Sequence, residues 1–282
     1  MPARLKVLVT GAAGQLGRAL AGAFDGWEVV AADRSHLDVT DRALTHAAVL
    51  GLQPDAVVHA GAMTAVDACE DDPDRAFAVN ALGTRHIAEA ARRAAAHLCY
   101  LSTDYVFDGT KPGPYAEWDE TGPLSVYGRS KLAGERECGP DATVVRTSWV
   151  CGDGPGNFVG LVLRLASEHD VLRFVTDQRS RPSIATDVAA MIRRLVAERR
   201  SGCFHVTNAG DASRYELARS ILGAAGLDPA RVEPIDAADL DPPQRAPRPA
   251  QSVLDNAALR LAGIPTLPDY RESLVPLVRS LR

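Results

Sequence analysis

The feature that most constrains this chain is a rhythm in its first half, where short apolar runs alternate with stretches of helical period. "LKVLVT" (5–10), "WEVVAAD" (27–33), "DAVVHA" (55–60), "HLCYLS" (97–102) and "TVVRTS" (143–148) read as strands. Between them lie "GRALAGAF", then "DRALTHAAVL" with Thr40 as its expected cap, and one long helix over "DPDRAFAVNALGTRHIAEAARRAA". Strands separated by helices of this length need crossover connections, which set neighbouring strands parallel. The expected fold is α/β, a Rossmann-type doubly wound parallel sheet.

Beyond Trp149 the rhythm loosens. "CGDGPGNF" is a Gly-rich loop, "VGLVLRLASEHD" is helical, "LRFVTDQ" and "GCFHVTN" read as strands, and "IATDVAAMIRRLVAERR" is an amphipathic helix. The Pro-rich stretch "DLDPPQRAPRPAQSVLDN" (239–256) is too long for a simple connection and reads as a lid or binding surface. We therefore expect a dinucleotide-binding domain over 1–150, with a helix from about 183–200 returned to it. Residues 151–282 mainly form a smaller C-terminal α/β substrate-binding lobe over the sheet's carboxyl edge.

Composition narrows the function classes. A formal net charge of -5 argues against a nucleic-acid partner or a membrane surface. No apolar run approaches the roughly 20 residues of a membrane helix, and "MPARLKVLVTG" is no secretory signal. Cys69, Cys99, Cys138, Cys151 and Cys203 are scattered, odd in number and never in a CxxC pair. That pattern fits free thiols in a reducing cytoplasm, with no metal site.

"VTGAAGQLG" places Gly11, Gly14 and Gly17 after the first strand and at the start of a helix. Glycines there permit a tight turn and a close approach to a pyrophosphate, which the helix N-terminus then binds. A plain tight turn would use the same residues, but an acidic residue ending strand two favours a dinucleotide. That residue, Asp33, suits the ribose hydroxyls of NADH, whereas Arg34 beside it suits the 2′-phosphate of NADPH. Arg34 also reads as a solvated loop charge. Asp38 in "LDVTD" can reach an adenine or simply form a turn.

"SVYGRSKLAGE" puts Tyr127 and Lys131 four apart, one turn from each other on a helix face. A tyrosine exchanges its proton near ~10, and a nearby ammonium would lower that value toward neutrality. In "STDYVF", Thr103 follows the fourth strand, where its hydroxyl can bond a carbonyl beside Tyr127.

Together these motifs resemble the extended short-chain dehydrogenase/reductases, and within them the dTDP-4-dehydrorhamnose reductase family. The resemblance runs through "TGAAGQLG", "LDVTD", "TAVDACEDDP", "VNALGT", "STDYVFDG", "PLSVYGRSKLAGE", "RTSWV", "DQRSRPS" and "RPAQSVLDN". It implies reduction of the C4 keto group of a nucleotide-diphospho-deoxysugar by NADPH or NADH, dTDP-4-dehydro-L-rhamnose becoming dTDP-L-rhamnose. Thr103, Tyr127 and Lys131 would be the catalytic set. Gly11, Gly14, Gln15, Leu16, Asp33, Arg34, Asp38, Val39, Ala60, Gly61 and Ala62 would line the cofactor, together with Tyr127 and Lys131. Thr103, Asp104 and Trp149 would contact a dTDP-linked 4-keto-6-deoxyhexose, and Arg248, with Arg181 as a second candidate, would pair with its pyrophosphate.

The chain departs from the family at His59, Gly61, Cys151, Arg179 and Arg181, and carries Ala19 where some relatives hold a metal-bridging carboxylate. A monomer or a plain homodimer is therefore expected. Two alternatives stay open: a 4-ketoreductase for another nucleotide deoxysugar, and a non-catalytic subunit resembling the regulatory subunit of methionine adenosyltransferase.

Overall fold

In this computed structural model, which describes residues 4–154 and 156–282, each apolar run of the first half becomes a strand. The order is β1 (Lys6–Thr10), α1 (Gln15–Ala23), β2 (Glu28–Ala32), α2 (Arg42–Leu52) and β3 (Ala56–His59). Then come α3 (Val66–Asp71), α4 (Pro73–Phe77), α5 (Gly83–Arg93), β4 (His97–Thr103), α6 (Val126–Glu137) and β5 (Thr143–Thr147).

Two local expectations are corrected. Asp41, not Thr40, caps α2 by accepting from the Leu44 N–H, because the Thr40 hydroxyl already donates to Asp38 Oδ1. The long helix is broken between α4 and α5 by a π-helical turn over Ala78–Leu82. Asn80 in that turn accepts from the Met63 N–H and donates to the Met63 carbonyl and to Ser130 Oγ. A helix widened this way can turn a polar side chain inward.

The second half supplies β6 (Val150–Cys151), α7 (Phe158–Glu168), β7 (Leu172–Val175), β8 (Arg179–Ser180), β9 (Ser183–Ile184) and α8 (Ala185–Ala197). It ends with β10 (Gly202–His205), β11 (Ala212–Ser213), α9 (Arg214–Ala224), β12 (Val232–Ile235), α10 (Ala257–Leu261) and α11 (Tyr270–Ser280). The main sheet has the order β2-β1-β3-β4-β5-β10, with every pair parallel. Helix α8 packs on α1, and β10 extends the sheet beyond β5, so two elements of the second half return to the first.

Strand periodicity explains how the sheet is buried. Val7 and Val9 point to one face, packing with Leu20 of α1 and Ile192 and Leu195 of α8. Leu8 points to the other, with Val49 of α2, Ile87 of α5 and Tyr100. Covered on both faces, these strands need apolar residues at nearly every position. A separate core of Val159, Val162, Leu217, Ile221, Tyr270 and Leu274 builds the second lobe. The chain reverses its progress across the sheet between β1 and β3, and a crevice opens outside the carboxyl ends of such strands.

Candidate active site

A cleft of about 720 Å³ occupies that crevice, walled by the glycine loop, the tips of β3 and β4, the start of α6 and the edge of the second lobe. Its first part suits a dinucleotide. Gly11 has φ +69°, and a Cβ there would lie 2.6 Å from the Gly61 nitrogen, so only glycine lets the turn pass over the end of β3. Gly14 begins α1 without any side-chain cap, which leaves the helix's first N–H groups and positive end for a phosphate. Leu16, Val39, Ala60, Gly61 and Ala62 line the same space. Gln15 also reaches across: its Oε1 accepts from the Gly152 N–H of the second half.

Asp33 is held well below the usual carboxylate range, chiefly by the Ser35 hydroxyl and then by His36. All of these bonds fall on Oδ1, from the N–H and hydroxyl of Ser35 and the N–H and ring of His36. Among the described residues Oδ2 has no partner, so an ionised acceptor remains for ribose hydroxyls. Arg34 is exposed and, among the described residues, its side chain pairs with Asp38 alone, at 3.3 Å. This donor and acceptor set fits a nicotinamide dinucleotide.

The second part of the cleft gathers Thr103, Tyr127 and Lys131. Thr103 ends β4, accepts from the Tyr105 N–H and donates to Asp104 Oδ1 at 3.0 Å. Tyr127 lies in the first turn of α6, which Ser125 caps, and its ring meets Tyr105 edge-on at 5.8 Å. Gly128 permits this closeness, since a Cβ there would lie 2.2 Å from the Tyr105 carbonyl oxygen.

Burial pushes the Tyr127 phenol well up, with the Thr103 hydroxyl pulling the other way. Lys131 is buried, donates to the Leu101 carbonyl at 2.6 Å and sits 4.1 Å from the Tyr100 ring centre. Burial lowers its pKa to about 7, against the pull of Cys138 and Glu135. Lys131 is not among the main influences on the tyrosine, the largest of which is burial. Lys131 is aimed at a backbone carbonyl, and desolvation dominates both groups.

On the substrate side, Asp104 lines the cleft yet is only 2% exposed. Its Oδ2 accepts from Ser180 and Ser252, at 2.9 and 2.6 Å, and burial still raises its pKa. Trp149 lines the cleft with a left-handed φ of 41°. Arg248 is differently engaged: its guanidinium forms a two-pronged pair with Asp67, at 3.0 and 2.8 Å. Arg181 lies outside the cleft lining, near Asp255 and Asp211.

Sequence reading missed two features. Glu135, one further turn along α6 from Lys131, pairs with Arg146 of β5 through both oxygens and accepts from Ser102 Oγ. Its place eight residues after Tyr127 was the available signal. Arg214 lines the cleft at the first position of α9, where the spacing of Ser213 and Glu216 marks a helix start.

A parallel dinucleotide-type sheet with a threonine, a tyrosine and a lysine gathered over one strand tip defines an extended short-chain dehydrogenase/reductase. The comparisons agree. A dTDP-4-dehydrorhamnose reductase of Streptomyces griseus is 42% identical over 282 residues, spanning 96% of this chain and 92% of its own. A dTDP-4-keto-6-deoxy-D-glucose reductase of Streptomyces niveus is 39% identical, spanning 95% and 94%. The crystal structure of dTDP-4-dehydrorhamnose reductase from Bacillus anthracis in complex with NADP superposes with a TM-score of 0.94 at 33% identity, covering 99% of this chain and 100% of that one. The family described as RmlD substrate binding domain matches residues 5–282. The chain belongs to that family, the dTDP-4-dehydrorhamnose reductases.

Proposed function

We propose that this protein reduces the C4 keto group of a dTDP-linked 4-keto-6-deoxyhexose, forming dTDP-L-rhamnose from dTDP-4-dehydro-L-rhamnose with NADPH or NADH. The observation that carries the reading is the meeting of Thr103, Tyr127 and Lys131 at the tip of β4, in a chain of this family. When bound, the reduced nicotinamide supplies the hydride that C4 accepts. Tyr127 then gives its proton to the developing alkoxide; a buried phenol with a raised pKa enters the reaction protonated, as an acid must. Thr103 turns its hydroxyl from Asp104 to the substrate carbonyl and orients it. Lys131, fixed by the Leu101 carbonyl, offers its remaining N–H bonds to the nicotinamide ribose. The glycine loop, Asp33 and Arg34 hold the adenosine and phosphate end.

The test is consumption of NADPH and of NADH by purified protein given dTDP-4-dehydro-L-rhamnose. No consumption with that sugar, alongside tight cofactor binding, would remove the reading. The Streptomyces niveus relative supports a second substrate, dTDP-4-keto-6-deoxy-D-glucose. Comparing kcat/KM for the two sugars separates them.

A further inference from the structure

Arg214, in the wall of the cleft, is a cation that pairs with no carboxylate among the described residues. A capping box of Ser213 and Glu216 fixes the start of α9, so Arg214 stands at the positive end of that helix, where a cation is disfavoured. Its guanidinium carbon lies 3.8 Å from the Trp149 ring centre and 4.7 Å from that of Phe158. No hydrogen-bond acceptor pairs with it among the described residues, and burial pulls its pKa down, against the opposing influence of Tyr105, Cys151 and Asp104.

The arginines around it are differently placed. Arg248 is paired with Asp67, and Arg179 with Asp211 and Glu216. Trp149 adopts a strained left-handed backbone to present its ring. Aromatic rings on a guanidinium leave its N–H edge free while holding its plane fixed. A half-buried cation at the positive end of a helix, with no acceptor among the described residues, is better satisfied once an anion reaches it.

We propose that Arg214, stacked on Trp149 and Phe158, grips the diphosphate of the incoming nucleotide sugar and thereby sets the sugar at Thr103 and Tyr127. This rests on the reading that the substrate is a nucleotide sugar. The cofactor carries the same group, but the open N-terminus of α1 provides for it. Arg214 lines the same cleft as Thr103, Asp104, Tyr105 and Tyr127. A guanidinium binds a diphosphate through two parallel charge-assisted bonds, a geometry lysine lacks.

The experiment titrates dTDP and, separately, NADPH into wild type, Arg214→Gln and Arg214→Lys, with thermal melting as the check on folding. Arg214→Gln is expected to weaken dTDP by about 10- to 100-fold, the range for losing a charged hydrogen-bond partner. NADPH affinity should stay within about 2-fold of wild type, well under the value of one such bond. Arg214→Lys should recover part of the dTDP loss, and it carries the test if the glutamine variant fails to fold. Unchanged dTDP binding in a folded variant overturns the proposal. So does an equal loss for NADPH, which would put the arginine on the cofactor. A wild type that neither binds dTDP nor reduces its 4-keto sugar overturns the nucleotide-sugar reading, and the proposal with it. A wild type that does both while Arg214→Gln matches it removes only the role of Arg214.

Discussion

Burial acts on Tyr127 and Lys131 in opposite senses, keeping the phenol protonated and making the ammonium easy to discharge. Tyr127→Phe should lose about 10²–10⁴-fold in kcat, the range for removing a general acid. Cofactor titration should be nearly unchanged, and retained turnover would exclude Tyr127 as the donor. For Lys131 the sign of the pH effect follows from linkage. Folded, it discharges at about 7; unfolded, near ~10.4. Within that window the unfolded chain binds more protons, so the lysine's unfavourable contribution is full below pH about 7 and fades as pH rises. The stability of wild type minus that of Lys131→Met should therefore increase from pH about 7 to about 10 in urea titrations without cofactor. Raised thiols such as Cys138 oppose this trend in both proteins, so the difference is the quantity to read. A flat difference would mean that Lys131 titrates in the folded protein as it does in the unfolded chain, solvated and charged across the window. At the other end of the cleft, an exposed Arg34–Asp38 contact is weak enough to yield to a 2′-phosphate. Arg34→Ala should raise the KM for NADPH by about 5-fold or more and leave that for NADH nearly constant. Equal effects would leave Arg34 a solvated loop residue.

Helix α6 carries Tyr127, Lys131 and Glu135 on successive turns of one face, and the last of these ties the helix to β4 and β5 through Ser102 and Arg146. Glu135 holds Arg146 of β5 at 2.9 and 2.7 Å, with both side chains less than 10% exposed. Glu135→Gln would leave that arginine buried without its counter-charge, at a cost of about 3 kcal/mol. The urea midpoint measures it, and a double variant of Glu135→Leu with Arg146→Met should regain much of the loss. A midpoint unchanged in the single variant would show the pair to be solvated. Elements such as β4 and α6 were legible in the sequence because their signals are local: an apolar run, a cap, a spacing of four. The π-helical turn was not, because Asn80 takes its shape from Met63 and Ser130, which only the folded sheet brings near. Arginine roles were illegible for the same reason. Asp67, which neutralises Arg248, is 181 residues away in the chain, while no carboxylate among the described residues pairs with Arg214. Residue type announces a charge, but tertiary contacts decide whether it is free.

At the scale of the whole molecule, the two lobes are joined by polar ties at the cleft rather than by apolar packing alone. Gln15 bonds Gly152, and Asp67 binds Arg248 together with the N–H groups of Arg245 and Ala246. Asp104, at the tip of β4, receives hydroxyls from Ser180 of β8 and Ser252 of the Pro-rich loop. That last tie meets the catalytic residues directly, through the Thr103 hydroxyl on the same carboxylate. A buried carboxylate depends on its donors, and burial already raises its pKa despite them. Replacing both serines by alanine should therefore cost about 3 kcal/mol while the carboxyl is ionised, as two bonds to a charged group disappear. Losing donors raises the Asp104 pKa further, so the variant's carboxyl protonates before the wild type's as pH falls. Below both values each protein buries a neutral acid, which depends far less on the serines, and the gap should narrow. Urea midpoints of the two proteins, followed along a falling pH series, give the comparison. A gap of constant size along the series would show that the serines stabilise the lobes by packing, with no bearing on the charge of Asp104.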